Sequence, residues 1–172
     1  MIRKTYVPAM LAALALAAPA TQATAQAQSA YPDAVAACVT IIDTRTAADQ
    51  TFRPVGLSPQ PAHAGLKKFF YEEITDTRWY MRRLNEGVVH AATSDMDRSC
   101  SVFLFGVQGS AINRQIGGRF TGWTRQEIEG GGVAYSRRNA RGELLVVSIH
   151  DGPPTVQPEQ IGALVKVYLL SR

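Results

Sequence analysis

Between Val7 and Ala18 the chain is apolar on every side, mostly alanine and leucine, broken only by Pro8. Arg3 and Lys4 precede this run, and the small-residue tail Ala23-Thr24-Ala25-Gln26-Ala27 follows it. A positive start, a short apolar core and an A-x-A tail form a secretory leader, and the core falls short of the roughly 20 residues that span a bilayer. The pattern predicts residues 1–27 as leader, with cleavage after Ala25 or Ala27, and residues 28–172 as one domain.

The domain opens on a helical period. Ser29 is placed to cap, Pro32 suits a first turn and Asp33 favours the positive end of the helix dipole. Val35, Cys38, Ile41 and Ile42 then form one apolar face, and the helix is expected to fade near Asp49. Pro54, Gly56, Pro59 and Pro61 break any period, so residues 51–64 are predicted as a surface loop. Leu66 to Glu73 fits either a short helix or the lead into a strand.

From Arg78 onward the pattern shortens to strand-like runs separated by turn residues. The predicted strands are Arg78–Leu84, Val88–Ser94, Ser99–Phe105, Trp123–Glu129, Val133–Arg138 and Glu143–His150. Gly, Asn and Asp fill the short gaps between them, which is the signature of hairpins. A helix carrying Ile112, Ile116 and Phe120, with Ser110 as cap, follows the third strand. After Pro158 the stripe Ile161, Leu164, Val165 and Tyr168 or Leu169 has helical spacing and predicts a C-terminal helix. A shift of 44 residues lays Trp79 on Trp123, Gly87 on Gly131, Val102 on Val146 and Phe103 on Val147, a weak internal repeat.

The expected fold is therefore α+β. An antiparallel sheet of five to seven strands in βββα-βββα order would carry an N-terminal and a C-terminal helix packed on one face. Hairpin connections exclude a doubly wound parallel sheet, because a short turn cannot join parallel strands.

Charge and cysteines narrow the setting. Loss of Arg3 and Lys4 with the leader lowers the net charge from +4 to +2, too little for a nucleic-acid binder. The two cysteines, Cys38 and Cys100, are expected to pair in an oxidising compartment. The run Val35-Ala36-Ala37-Cys38 looks like a lipoprotein processing site, but the polar stretch from Thr21 to Asp33 separates it from the apolar core. A periplasmic or secreted protein without a membrane span is the expectation.

Catalytic signals are weak. His150 and Asp151 end a predicted strand and offer a base and a carboxylate, the basis of a hydrolase reading. No G-x-S-x-G elbow accompanies them; Gly106-Val107-Gln108-Gly109-Ser110 is the nearest approach. His63 and His90 lack the spacing of metal ligands, and Asp95-x-Asp97 lacks the glycine and closing glutamate of a calcium loop. Gly130-Gly131-Gly132 leads into a strand and not a helix, so it reads as a hairpin device, and no cofactor is expected. Arg82, Arg137, Arg138 and Arg141, with Trp79 and Tyr135, are candidates for a basic and aromatic binding surface. The function expected from the sequence is non-enzymatic: binding of a small ligand or an envelope component. The alternatives are a small hydrolase built on His150 and Asp151, and an envelope protein anchored through an acylated Cys38.

Overall fold

Ile161–Leu170, expected as the C-terminal helix, is instead the longest strand of the sheet. It lies at the centre, antiparallel to Ser99–Phe105 on one side and Leu144–Asp151 on the other. Ala163, Val165 and Val167 are buried on its core face, while Leu164 and Tyr168 are half-buried on the other. The run therefore carries apolar residues on both faces and matches a helical stripe as well as it matches alternation. Its β-branched residues, Ile161, Val165 and Val167, favour the pleated form. Gly162 is required there by close approach: a Cβ at this position would come within 1.8 Å of the Val107 carbonyl oxygen.

The computed structural model describes residues 19–61, 76–96, 98–129 and 131–170, with side chains from residue 25 onward. The helices are α1 (Pro19–Thr44), α2 (Ala48–Phe52) and α3 (Ser110–Gly118), with a 3-10 turn over Arg53–Val55. The strands are β1 (Ser58–Gln60), β2 (Arg78–Arg83), β3 (Val88–Ser94), β4 (Ser99–Phe105), β5 (Thr124–Glu127), β6 (Val133–Arg138), β7 (Leu144–Asp151) and β8 (Ile161–Leu170). They form one open antiparallel sheet of eight strands in the order β1-β2-β3-β4-β8-β7-β6-β5. The class is α+β, with more strands than the expected five to seven. Strands β2 to β7 lie within two residues of their predicted spans.

The segment predicted as a loop over 51–64 holds the end of α2, the 3-10 turn and β1. Its prolines are tolerated because β1 is a short exposed edge strand, where a missing N–H costs no ladder bond. Residues 62–64 with His63, Leu66–Glu73, Asp97, Gly130 and most of the predicted leader lie outside the described residues.

All described helices pack on one face. Tyr31, Val35, Cys38, Ile41 and Ile42 of α1, Phe52 of α2, and Ile112 and Ile116 of α3 join Val102, Leu104, Val147, Val165 and Val167 in the main core. Helix α1 starts upstream of Ser29, so that residue does not cap it, and Pro32 lies inside the helix. An interior proline costs about 3 kcal/mol. Several side chains on the same helix are fully buried, each contributing about 1.5–3 kcal/mol, so packing outweighs the break. On the other face of the sheet Trp79, Ala92 and Phe103 form a smaller cluster. Residues related by the 44-residue shift fall on opposite faces: Phe103 belongs to the smaller cluster, whereas Val147 belongs to the main core.

Cys38 and Cys100 stand at disulfide distance, with Cα atoms 5.4 Å apart, and tie α1 to β4. Among the described residues no helix is long and apolar enough to cross a membrane.

Tyr80 closes the core near β1. Its ring lies 4.7 Å from that of Phe52, and its hydroxyl donates to Asp49 Oδ1 at 2.7 Å. Burial first, then the bond to Asp49, push its pKa up to about 12. An unfolded phenol ionises from about 10, so this contribution to stability is complete below that pH and is lost as pH rises to 12. Absorbance titration at alkaline pH is expected to show Tyr80 ionising late, together with buried Tyr31. Tyr80→Phe should remove one phenol from that late group. An unchanged late phase would contradict the described bond.

Candidate functional site

Helix α3 is anchored to the sheet by Ile112 and Ile116, four residues apart and both buried. Asn113 follows the first anchor, so it too turns inward, over the end of β7, and is only 5% exposed. Its Nδ2 donates to the His150 carbonyl oxygen at 3.1 Å and to Asp151 Oδ1. Both acceptors face the nitrogen, which fixes the amide's orientation. The Oδ1 atom that remains is buried without a partner. An unsatisfied buried acceptor costs about 1–3 kcal/mol, so its retention in a core position calls for a use.

Asn113 lines a cleft of about 600 Å³ between α3 and strands β5 to β7. Asp151 lies beside it; Arg114 of α3 and Arg125 of β5 supply the positive charge. Arg125 makes a single weak pair, to Glu127 at 3.5 Å, and both members are more than half exposed. Tyr135 of β6 forms a wall, its ring stacked 5.2 Å from that of Phe120. Its hydroxyl lies close to Gly117, where a Cβ would come within 2.7 Å. Gly118 and Gly131 also line the cleft, and a Cβ at either would meet nothing within 4 Å, which leaves that side open. The phenol of Tyr31, fully buried and unpartnered, is held well above its ordinary pKa, by burial first and by the negative charge of Asp151 second.

The arrangement has a definite polarity. The Asp151 carboxylate supplies an acceptor to the cleft, and the guanidiniums of Arg114 and Arg125 supply donors. A molecule carrying an ammonium or other donor-rich head and an anionic end complements both sides.

The residues singled out in the sequence are dispersed. Alternation along β7 sends Asp151 and Ile149 to the cleft and His150 to the other face, so the imidazole and the carboxylate do not form a pair. Arg82 donates to the Val55 carbonyl at 2.9 Å and holds the 3-10 turn. Arg137 pairs with Asp43 at 2.6 Å and lies 4.7 Å over the Trp123 ring. Arg138 donates to the Gly142 carbonyl at 2.8 Å, and Arg141 pairs with Glu143 at the same distance. Trp79 is nearly buried, on the face of β2 opposite Tyr80. Strands β2 and β6 lie five ladders apart, about 24 Å, so these residues do not form one surface. Of all of them, Tyr135 and Asp151 meet at the cleft.

Asn113 escaped the sequence reading, although an asparagine on the buried face of a helix between two isoleucines is a legible signal. Arg114 and Arg125 carry no such mark, because only the packing of α3 against the β5–β7 meander brings them together. No family model, curated protein or solved structure matches the chain.

Proposed function

We propose that this chain is an exported, non-enzymatic binding protein whose ligand is a small zwitterion, an amino acid or short peptide, held in the cleft between α3 and β7. The observation that carries the reading is the Asp151 carboxylate, held by Asn113 Nδ2, on the same cleft as Arg114 and Arg125. A ligand ammonium pairs with the Asp151 carboxylate, and its own carboxylate meets Arg114 and Arg125. The groups lining the cleft are a carboxylate, an amide, a phenol and guanidiniums, which suit recognition more than covalent chemistry.

Export is supported by the leader pattern and by the cysteine pair at disulfide distance. Of the two cleavage points, the one after Ala25 agrees better with the packing. Gln26 Oε1 accepts the Asn85 N–H at 2.7 Å and Ala27 is fully buried, so both residues belong to the folded domain. The cysteine pair also argues against the lipid-anchored alternative, because a bonded Cys38 has no thiol to acylate. The alternation of His150 and Asp151 along β7 weighs against the hydrolase alternative.

Calorimetric titration with free amino acids and dipeptides tests the proposal. At least one is expected to bind saturably, and Asp151→Asn should weaken it. Loss of a charge-assisted bond costs about 1.5–3 kcal/mol, roughly ten- to a hundredfold in affinity. Absence of binding across the panel, or an Asp151→Asn variant with unchanged affinity, would refute it.

A further inference from the structure

Among the described residues two non-glycine positions have left-handed backbones, Arg45 (φ 59°) after α1 and Arg98 (φ 48°) before β4. Glycine or asparagine is the usual occupant of such positions, and an arginine there is held against a local preference. Both side chains converge on one atom. Arg45 Nη2 and Arg98 Nη2 donate to Glu143 Oε1 at 2.9 and 2.8 Å, while Arg141 Nε donates to Oε2 at 2.8 Å. Asn139 fixes the carboxylate from its other side, donating to Oε2 at 3.0 Å, and its own Oδ1 accepts the Arg141 and Glu143 N–H groups. Three guanidiniums thus surround a single, rigidly placed carboxylate that holds its proton far less tightly than an ordinary glutamate, and among the described residues of the cluster two positive charges stay unbalanced.

Strain at two positions that serves one cluster points to a use for the cluster beyond stability. A hollow of about 460 Å³ opens beside it, lined by Arg45, Arg98, Thr46 and Thr93. Thr93 is 3% exposed and its hydroxyl is buried without a partner. Asp95 also borders the hollow, and its carboxylate is engaged by Arg78 at 2.8 Å. Leu169 lines both this hollow and a second one of about 480 Å³, bounded by Arg98, Arg141 and Leu170.

We infer that this end of the sheet is an anion site, separate from the zwitterion cleft, that takes a phosphate monoester group. A dianion matches the two uncompensated charges. Forked guanidiniums suit its tetrahedral oxygens, and the Thr93 hydroxyl supplies a further donor. The same headgroup chemistry occurs in soluble phosphate esters and in anionic lipids.

Thermal unfolding with inorganic phosphate or pyrophosphate, against sodium chloride at equal ionic strength, tests the site. Either anion is expected to raise the unfolding midpoint beyond the chloride control. Arg98→Gly suits the left-handed backbone and so should fold; it is expected to weaken the apparent affinity about tenfold or more. Thr93→Val, nearly isosteric, should weaken it as well. Sedimentation with phosphatidylcholine vesicles, with and without phosphatidic acid, separates the sources. Co-sedimentation that needs phosphatidic acid and is lost in Arg98→Gly assigns a lipid headgroup, while protection by free phosphate alone assigns a soluble ester. Midpoints that follow ionic strength only, with no co-sedimentation, would overturn the inference. So would an Arg98→Gly variant that responds to phosphate as the parent chain does.

Discussion

Val165→Asp is expected to abolish cooperative folding. Val165 is fully buried at the middle of β8, opposite Val102 of β4 and Ile149 of β7. The substitution forfeits about 1.5–3 kcal/mol of burial and places an unpaired carboxylate where water cannot reach, at a cost of several kcal/mol more. A domain's whole stability is about 5–15 kcal/mol, so little or none remains. The neighbouring positions make the test specific to a strand. Val167 is also fully buried, although it falls outside the helical stripe that runs through Ile161, Leu164 and Val165. Lys166 is exposed, 5.9 Å over the Tyr168 ring. Val167→Asp should therefore be as damaging as Val165→Asp, while Lys166→Asp should change stability by no more than about 0.5 kcal/mol. Circular dichroism melts and soluble yield decide the matter. A soluble, cooperatively melting Val167→Asp chain would be incompatible with β8.

The second large effect is expected from the cysteines. A bond between Cys38 and Cys100 closes a loop with a sequence separation of 62. Chain-entropy reasoning gives a contribution on the order of 4 kcal/mol, because the linked unfolded chain has fewer conformations to lose. For a domain of this size, that corresponds to a fall of about 10–15 °C in Tm on reduction or in the double variant Cys38→Ser/Cys100→Ser. Peptide mapping of the exported protein without reductant should recover the two cysteine peptides joined, and should place the mature N-terminus at Gln26. Alkylation of either thiol before reduction, or a Tm insensitive to reductant, would count against the pairing. A diacylglycerol on Cys38 would revive the anchored alternative.

Local pattern determined a good part of this molecule. The runs β2 to β7 end in Gly, Asn or Asp turns, and each hairpin among them is specified by residues near it in the chain. The apolar face of α1 is equally local. With two cysteines in the sequence, the pairing of Cys38 with Cys100 was the one intramolecular pairing open to it. Only the tertiary structure decided the remainder. Leu164 and Tyr168 put apolar residues on the less buried face of β8 and blur the alternation that would identify it, so β8 became a strand through its two neighbours and not through its own pattern. The proline-bearing β1 forms because it lies at an edge, a property of the sheet and not of the segment. The cleft joins Asn113, Arg125 and Asp151, and the anion cluster joins Arg45, Arg98 and Arg141 on Glu143. These groups lie on separate segments whose positions are set by packing and strand order, and local periodicity carries no information about which distant segments will meet.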